Sequence, residues 1–333
     1  MKKILIFGAT GNTGAYLVDY FFENYNSNEY EIICLGSRDT DFFSKYKFKY
    51  IKIDISDKED FKKLPLDNIH AVIHTAARLP THDADHYSES FININIKGTL
   101  NILEYCRKTK TDRVIFTQTM SNIANEFGKT LEITPNLPRN FPFKGDHVLY
   151  VLSKNLAEDI VEHYHQQHGI KTFVFKIPTI YQYRENPYWF VDGVKKPRVF
   201  HQFIELAKKG KTIEMWGDPS AYKDLVYVKD YCQQLYNATF VENLNRGVYN
   251  VGTGIPTRLD TMLEEIVNVF SEKDNKSSII AKPDKPNTPS YVINIDNAKK
   301  ELGYKVKFGL KEMLIDIKKE MKENRFISLR KNE

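Results

Sequence analysis

Ile4-Leu5-Ile6-Phe7-Gly8-Ala9-Thr10-Gly11-Asn12-Thr13-Gly14 is the stretch that decides the fold. Four apolar residues in a row precede three glycines at three-residue spacing. Ala15-Tyr16-Leu17-Val18-Asp19-Tyr20-Phe21-Phe22 then places apolar residues at helical spacing. The pattern predicts a buried parallel strand that turns tightly into a helix. In such a turn the first glycine permits the bend. The later ones let backbone N–H groups and the positive end of the helix approach a pyrophosphate with no Cβ in the way. Gly8, Thr10, Gly11, Asn12, Thr13 and Gly14 are therefore candidate phosphate-cradle residues.

The rest of the chain is compatible with a large α/β protein. Its 333 residues, 41% hydrophobic and 27% charged with 16 Gly and 13 Pro, have an ordinary globular composition. The net charge of +5 comes from interleaved lysines and acids rather than a basic block, which argues against a nucleic-acid partner. Cys34, Cys106 and Cys232 are far apart and form no Cys-x-x-Cys pair, as expected of reduced core thiols in a cytoplasmic protein. The apolar run after Met1-Lys2-Lys3 stops at a glycine, too short for a signal peptide. No later segment reaches membrane-spanning length, so no membrane partner is expected.

Outward from the first turn, strands alternate with helices. Tyr30–Leu35 reads as strand two and ends at Gly36-Ser37-Arg38-Asp39. An acid at this position accepts the ribose hydroxyls of a dinucleotide, whereas an arginine can pair with a 2′-phosphate. Gly36 stands where the acid would be, beside Ser37 and Arg38, so NADP(H) is expected over NAD(H), which stays possible through Asp39. Phe48–Ile53 is strand three, ending at Asp54 and Ile55, where a carboxylate could hold the adenine amino group. Strand four, Ala71–His74, runs into Thr75, Ala76 and Ala77, small enough for a flat cofactor to lie on backbone. His82 and His86, with Asp83 and Asp85, have a spacing that invites a metal, but no third ligand is evident and a polar loop is the preferred reading.

A long helix is predicted over 87–108, then strand five (Arg113–Phe116) leading to Thr117-Gln118-Thr119, then a second long helix over 148–168. Lys171–Pro178 is strand six, closed by its proline. Six strands in alternation predict a Rossmann-type doubly wound parallel sheet over residues 1–180. Residues 181–333 should form a smaller α/β substrate-binding domain, with some late pieces adding to the main sheet. Tyr150 and Lys154 sit one turn apart on the second long helix. An ammonium beside a phenol favours the phenolate and makes a base of it, and Thr119 can offer a hydroxyl to the same substrate oxygen.

Gly8-x-x-Gly11-x-x-Gly14, Asp54, His74-Thr75-Ala76-Ala77, Asn95-Ile96-Lys97-Gly98-Thr99, Thr117-x-Thr119 and Tyr150-x-x-x-Lys154 resemble the extended short-chain dehydrogenase/reductase family, in its nucleotide-sugar epimerase/dehydratase branch. Lys223-Asp224, Tyr249–Gly254 and Ala298–Tyr304 resemble later landmarks of that branch, so the likeness spans nearly the whole chain. It implies Tyr150 as acid/base, Lys154 on the nicotinamide ribose and Thr119 orienting the substrate. Asn95, Thr117, Ile177 and Pro178 would join the cofactor residues. Thr179, Arg198 and Lys223 would face a nucleoside-diphosphate sugar bound between the domains, and the two long helices would pack in a homodimer.

Departures refine the expectation. Met120 and Ser121 follow Thr119 where dehydratases of the branch carry Asp-Glu, so dehydration is disfavoured. Lys176, Thr179 and Lys223 replace residues that are commonly Arg, Asn and Arg, and a lysine cannot form a bidentate guanidinium clamp. The expected activity is that of a 4-epimerase or a 4-keto-sugar reductase. The alternative is a cofactor-binding sensor or scaffold without catalysis.

Overall fold

The computed structural model describes residues 1–80, 88–191 and 193–329, so the His82–His86 stretch lies outside the described residues. Its centre is a seven-stranded, wholly parallel sheet. The strands are β1 (Lys2–Phe7), β2 (Tyr30–Gly36), β3 (Lys49–Lys52), β4 (Ile69–His74), β5 (Arg113–Thr119), β6 (Lys171–Ile177) and β7 (Arg246–Asn250). Their spatial order is β7-β6-β5-β4-β1-β2-β3, so the winding reverses between β1 and β4. In open α/β sheets a ligand crevice opens at that reversal, outside the carboxyl ends of the strands.

The unbroken apolar runs follow from burial on both faces. Ile4, Ile6, Cys34, Ile73, Ile115, Phe173 and Phe175 point into one core, and Leu5, Phe7, Ile33, Leu35, Val72, Val114 and Phe116 into the other. The first core is covered by α1 (Asn12–Asn24) and by a helix from the late chain. The second is covered by α2 (Gly98–Thr109) and α3 (Val148–His168). The helix expected over 87–108 is not uniform: Phe91–Lys97 winds as a π-helix, with Gly98 N–H donating to the Asn93 carbonyl, before α2 begins. Such widened turns occur frequently at functional sites. Cys34, Cys106 and Cys232 are buried free thiols.

Past β6 the chain builds α4 (Val199–Lys208), α5 (Val228–Phe240), α6 (Leu259–Phe270) and α7 (Leu310–Glu323). It also forms short strand pairs, among them Ile180–Tyr181 with Val226–Tyr227 and Ile213–Trp216 with Ile279–Lys282. The late chain does add to the main sheet, through β7, while α5 packs against α1. Two buried carboxylates knit this part together. Asp224 accepts from Thr253 N and Gly254 N, each at 2.8 Å, and Asp230 accepts from Lys307 N and Phe308 N, each at 3.0 Å. Among the described residues no helix is long and apolar enough to cross a membrane, and no three metal-ligating side chains cluster.

Candidate active site

The glycine-rich turn is held by backbone hydrogen bonds. Gly8 N and Ala9 N both donate to the Leu35 carbonyl at 2.9 Å, and Gly11 N donates to Gly8 O at 2.9 Å. Gly8 has φ +86°, a left-handed value that glycine tolerates. A Cβ on Gly14 would lie 2.0 Å from Gly8 O, and one on Gly8 would lie 2.7 Å from Ala76 N. Helix α1 therefore starts tight against the end of β1. It has Gly11 at its N-cap, no side-chain cap and no acidic residue in its first turn. Its first N–H groups and its positive dipole end stay available for an anion, beside Thr10, Asn12 and Thr13. Thr75 closes the floor through its hydroxyl, which donates to Phe7 O at 2.7 Å, and Ala76 and Ala77 follow it. These residues fit a dinucleotide pyrophosphate, since the first N–H groups of α1 have no side-chain cap and the glycines let the helix start hard against the end of β1.

The adenosine end differs from expectation. Ser37 is exposed, but Arg38 is part-buried, and its Nη1 donates to the carbonyls of Thr10 at 3.3 Å and Leu329 at 2.8 Å. It is thus tied to backbone rather than held out toward a 2′-phosphate. Asp39 is exposed and paired with Lys52. Asp54 sits exposed at the sheet edge, where it accepts from Ser56 N at 2.8 Å and Ser56 Oγ at 2.7 Å, and Ile55 is buried behind it. Two residues expected to touch the cofactor also link the elements around its site. Asn95, buried in the π-helix, accepts from Arg78 N at 2.8 Å and donates to Ser153 Oγ at 2.9 Å, linking the loop after β4 to α3. Thr117 donates to His74 O at 3.1 Å, which engages its hydroxyl between strands.

Thr119, Tyr150 and Lys154 come together at the carboxyl end of β5. Thr119 Oγ1 accepts from Ser121 N at 3.1 Å and hydrogen-bonds the Tyr150 hydroxyl. Burial pushes the Tyr150 phenol up to about 12, and the Thr119 hydrogen bond works against that rise, as a donor to the phenolate must. Lys154 is buried one turn on, with Nζ 4.0 Å from the Phe116 ring centroid, and burial lowers its pKa to about 7. Among the described residues its ammonium has no hydrogen-bond partner, an arrangement that suits a bound polar group. Ile177 pairs with Thr119 across the sheet, so Pro178 and the exposed Thr179 leave β6 directly beside the hydroxyl pair.

Four residues past Ile177 the same segment reaches a cavity of about 640 Å³, whose walls include Tyr181, Phe200, Trp216, Tyr222 and Lys223. Lys223 is half-buried and, among the described residues, unpaired; burial lowers its pKa. Thr119, Tyr150 and Lys154 are not on these walls, and the chain from Thr179 to Tyr181 joins the two places. Beside the cavity is a polar cluster of which sequence reasoning named only Arg198. Gln182 is fully buried with neither amide atom partnered, and both ring nitrogens of His201 and the Nε of Arg198 are likewise buried without partners. Burial and the neighbouring Arg184 and Arg198 charges hold His201 down to about 4. Arg198 is also the N-cap of α4, which has no side-chain cap, and its guanidinium stands 5.0 Å from the Trp189 ring. The signal that could have found Gln182 and His201 is weak: polar residues just past a strand's carboxyl end and in a helix's first turn. Lys176 does not belong here, because it is buried and donates to Pro135 O at 2.7 Å.

A doubly wound sheet with a backbone phosphate cradle at its reversal and a Thr-Tyr-Lys group beside it defines a dinucleotide-binding protein of the extended short-chain dehydrogenase/reductase type. The model of the NAD dependent epimerase/dehydratase family matches residues 4–252, and the chain belongs to that family. A protein of Methanocaldococcus jannaschii provisionally named a UDP-glucose 4-epimerase is 28% identical over 96% of this chain and 99% of its own length. The crystal structure of UDP-glucose 4-epimerase from Thermotoga maritima with UDP-glucose superposes with a TM-score of 0.74 at 22% identity, covering 96% of this chain and 100% of that one. The UDP-glucuronic acid 4-epimerase of Bacillus cereus in complex with NAD gives 0.71 at 20% identity, covering 96% and 99%. Both structures share the fold.

Proposed function

We propose that the chain is an NAD(P)-dependent nucleotide-sugar 4-epimerase. The observation that carries this is the Thr119–Tyr150 hydroxyl pair with the unpartnered Lys154 ammonium one turn away, placed where the glycine cradle would aim a nicotinamide. Tyr150 takes the proton from a carbinol hydroxyl oriented by Thr119, and Lys154 favours the phenolate that does so. A nicotinamide bound there supplies the hydride acceptor and donor. Met120 and Ser121 offer no carboxylate for water elimination, which sets the reading apart from a dehydratase. A 4-keto-sugar reductase would use the same residues but release its cofactor each turnover. A sensor or scaffold would have no use for the assembled Thr-Tyr-Lys group.

The substrate reading is a nucleoside-diphosphate sugar, with the sugar at Thr119 and the nucleotide in the 640 Å³ cavity. Four extended residues span about 13 Å, enough to place the two ends of such a molecule at the two places. Lys223 and the Gln182, Arg198 and His201 cluster would meet its anionic middle, where α4 adds its positive end. Tyr150→Phe tests the assignment. It should lower turnover of UDP-glucose or UDP-galactose about 10³-fold while leaving the dissociation constant of the dinucleotide within about twofold. Turnover that survives the change would remove Tyr150 from the chemistry.

We also propose a homodimer through α2 and α3. Leu149, Leu152 and Leu156 lie on one face of α3 and are exposed, as is Leu100 on α2. Leu152→Glu should convert the dimer to a monomer in sedimentation equilibrium, and a wild-type chain that sediments as a monomer would end this reading.

A further inference from the structure

The last described residues of the chain fold back onto the cofactor half. After α7 ends at Glu323, Asn324 turns the chain at φ 41°. Arg325 then ties the segment down, donating to Glu320 at 2.6 Å and pairing with Asp19 of α1. Phe326 is buried, its ring 4.8 Å from Tyr16 and 5.7 Å from Phe42, and Leu329 is buried beyond it. The segment ends on Arg38, whose Nη1 is shared between the carbonyls of Leu329 and Thr10. A residue from the far end of the chain is thus part of the wall at the end of β2, where the adenosine ribose of a dinucleotide would lie.

This placement bears on a choice that the local sequence left open. A 2′-phosphate is held best by a guanidinium presenting two donors side by side. Here one terminal nitrogen is engaged by two carbonyls in a part-buried setting, and turning it to a phosphate would leave both without their donor. The carboxylate that would instead favour ribose hydroxyls is absent at residue 36, where a Cβ would lie 2.5 Å from Thr10 Oγ1 and displace that side chain. Discrimination at this end therefore depends on where Arg38 is held. Resting on the functional reading above, we propose that the segment Arg325–Leu329 sets the dinucleotide choice: by holding Arg38 on the Leu329 and Thr10 carbonyls it withholds the fork a 2′-phosphate needs and makes NAD the cofactor.

The test is calorimetric titration of the emptied protein with NAD⁺ and NADP⁺. The full-length chain should bind NAD⁺ about tenfold or more tighter. A chain ended after Ser328, which removes the Leu329 acceptor, should lose most of that preference by gaining affinity for NADP⁺, and adding Arg38→Ala to it should cancel the gain. Leu329→Ala keeps the carbonyl while removing the packing, so it should keep the full-length ratio. Arg38→Ala in the full-length chain should change NADP⁺ affinity less than about threefold; a tenfold loss would show that Arg38 already reads the phosphate and would overturn the proposal, whether or not the shortened chain folds. A full-length chain that prefers NADP⁺, or a folded shortened chain with an unmoved ratio, would overturn it too. If the full-length chain binds neither dinucleotide, the functional reading fails; binding with an unmoved ratio sinks this inference alone.

Discussion

The cofactor cradle and the substrate side of the candidate site are built in opposite ways. The cradle is built from main chain: the Gly8, Ala9 and Gly11 N–H groups fix the turn by donating to backbone carbonyls, the first N–H groups of α1 are left for an anion, and shape is enforced by positions where no Cβ fits. The substrate side is built from side chains, and a buried amide, an imidazole and a guanidinium nitrogen stand there without partners. Buried polar groups left unpaired cost about 1–3 kcal/mol each, so a cluster of them beside a cavity suits a place that a ligand completes. The difference teaches that the two halves carry different liabilities. The cradle fails by steric intrusion, and the cluster is unfavourable until it is filled.

The largest effect should come from breaking the cradle. Gly14→Val places side-chain atoms against the Gly8 carbonyl, and because both partners are backbone the turn itself must open. Dinucleotide affinity should fall at least about 100-fold in a calorimetric titration, with a lowered thermal midpoint, since overpacking of this kind commonly costs about 1–3 kcal/mol. A valine variant that binds normally would mean the cradle is not where the pyrophosphate sits.

The cluster should show the reverse signature. Gln182→Leu removes two unsatisfied buried atoms and keeps the bulk, so the empty protein should gain about 1–3 kcal/mol of stability in urea unfolding. Affinity for UDP-glucose should fall about 10- to 100-fold with dinucleotide affinity unchanged. A variant both less stable and unaffected in binding would make Gln182 an ordinary core residue.

The same contrast explains what could be seen in the sequence. The cradle was legible because its requirements are local: a strand, three spaced glycines and a helix, all within residues 4 to 22. Tyr150, Lys154 and Thr119 were legible because helical spacing and the end of a strand fix where they point. The bracing partners of Asn95 and Thr117, Ser153 with Arg78 and the His74 carbonyl, were not legible because they are set by tertiary packing rather than by neighbours in sequence. The tether of Arg38 was illegible for the same reason at greater range, since its acceptor at Leu329 lies 291 positions away. Gln182 and His201 carry no spacing signal; only their shared burial without partners marks them.

The smallest expected effect is a pH dependence confined to the substrate side. His201 is held to about 4 in the empty protein by burial and by Arg184 and Arg198, with the Gln182 backbone and then Glu205 acting the other way. An anion placed in the cluster opposes both arginine charges and raises the His201 pKa in the complex. Binding then takes up a proton wherever the pH lies between the free and bound values. Affinity should therefore rise as pH falls from 7 toward 5 and level off below about 4, where His201 is protonated in both states. The gain expected from pH 7 to pH 5 is about 3- to 10-fold for UDP-glucose, whose phosphodiester groups do not titrate in that window. Dinucleotide affinity, governed by main-chain donors that carry no proton to lose, should stay flat over the same range. The check is calorimetry at both pH values on the wild type and on His201→Phe, in which the slope should vanish. A wild-type slope that persists in His201→Phe would assign the proton to another group, and a flat wild-type profile would place the anion away from His201.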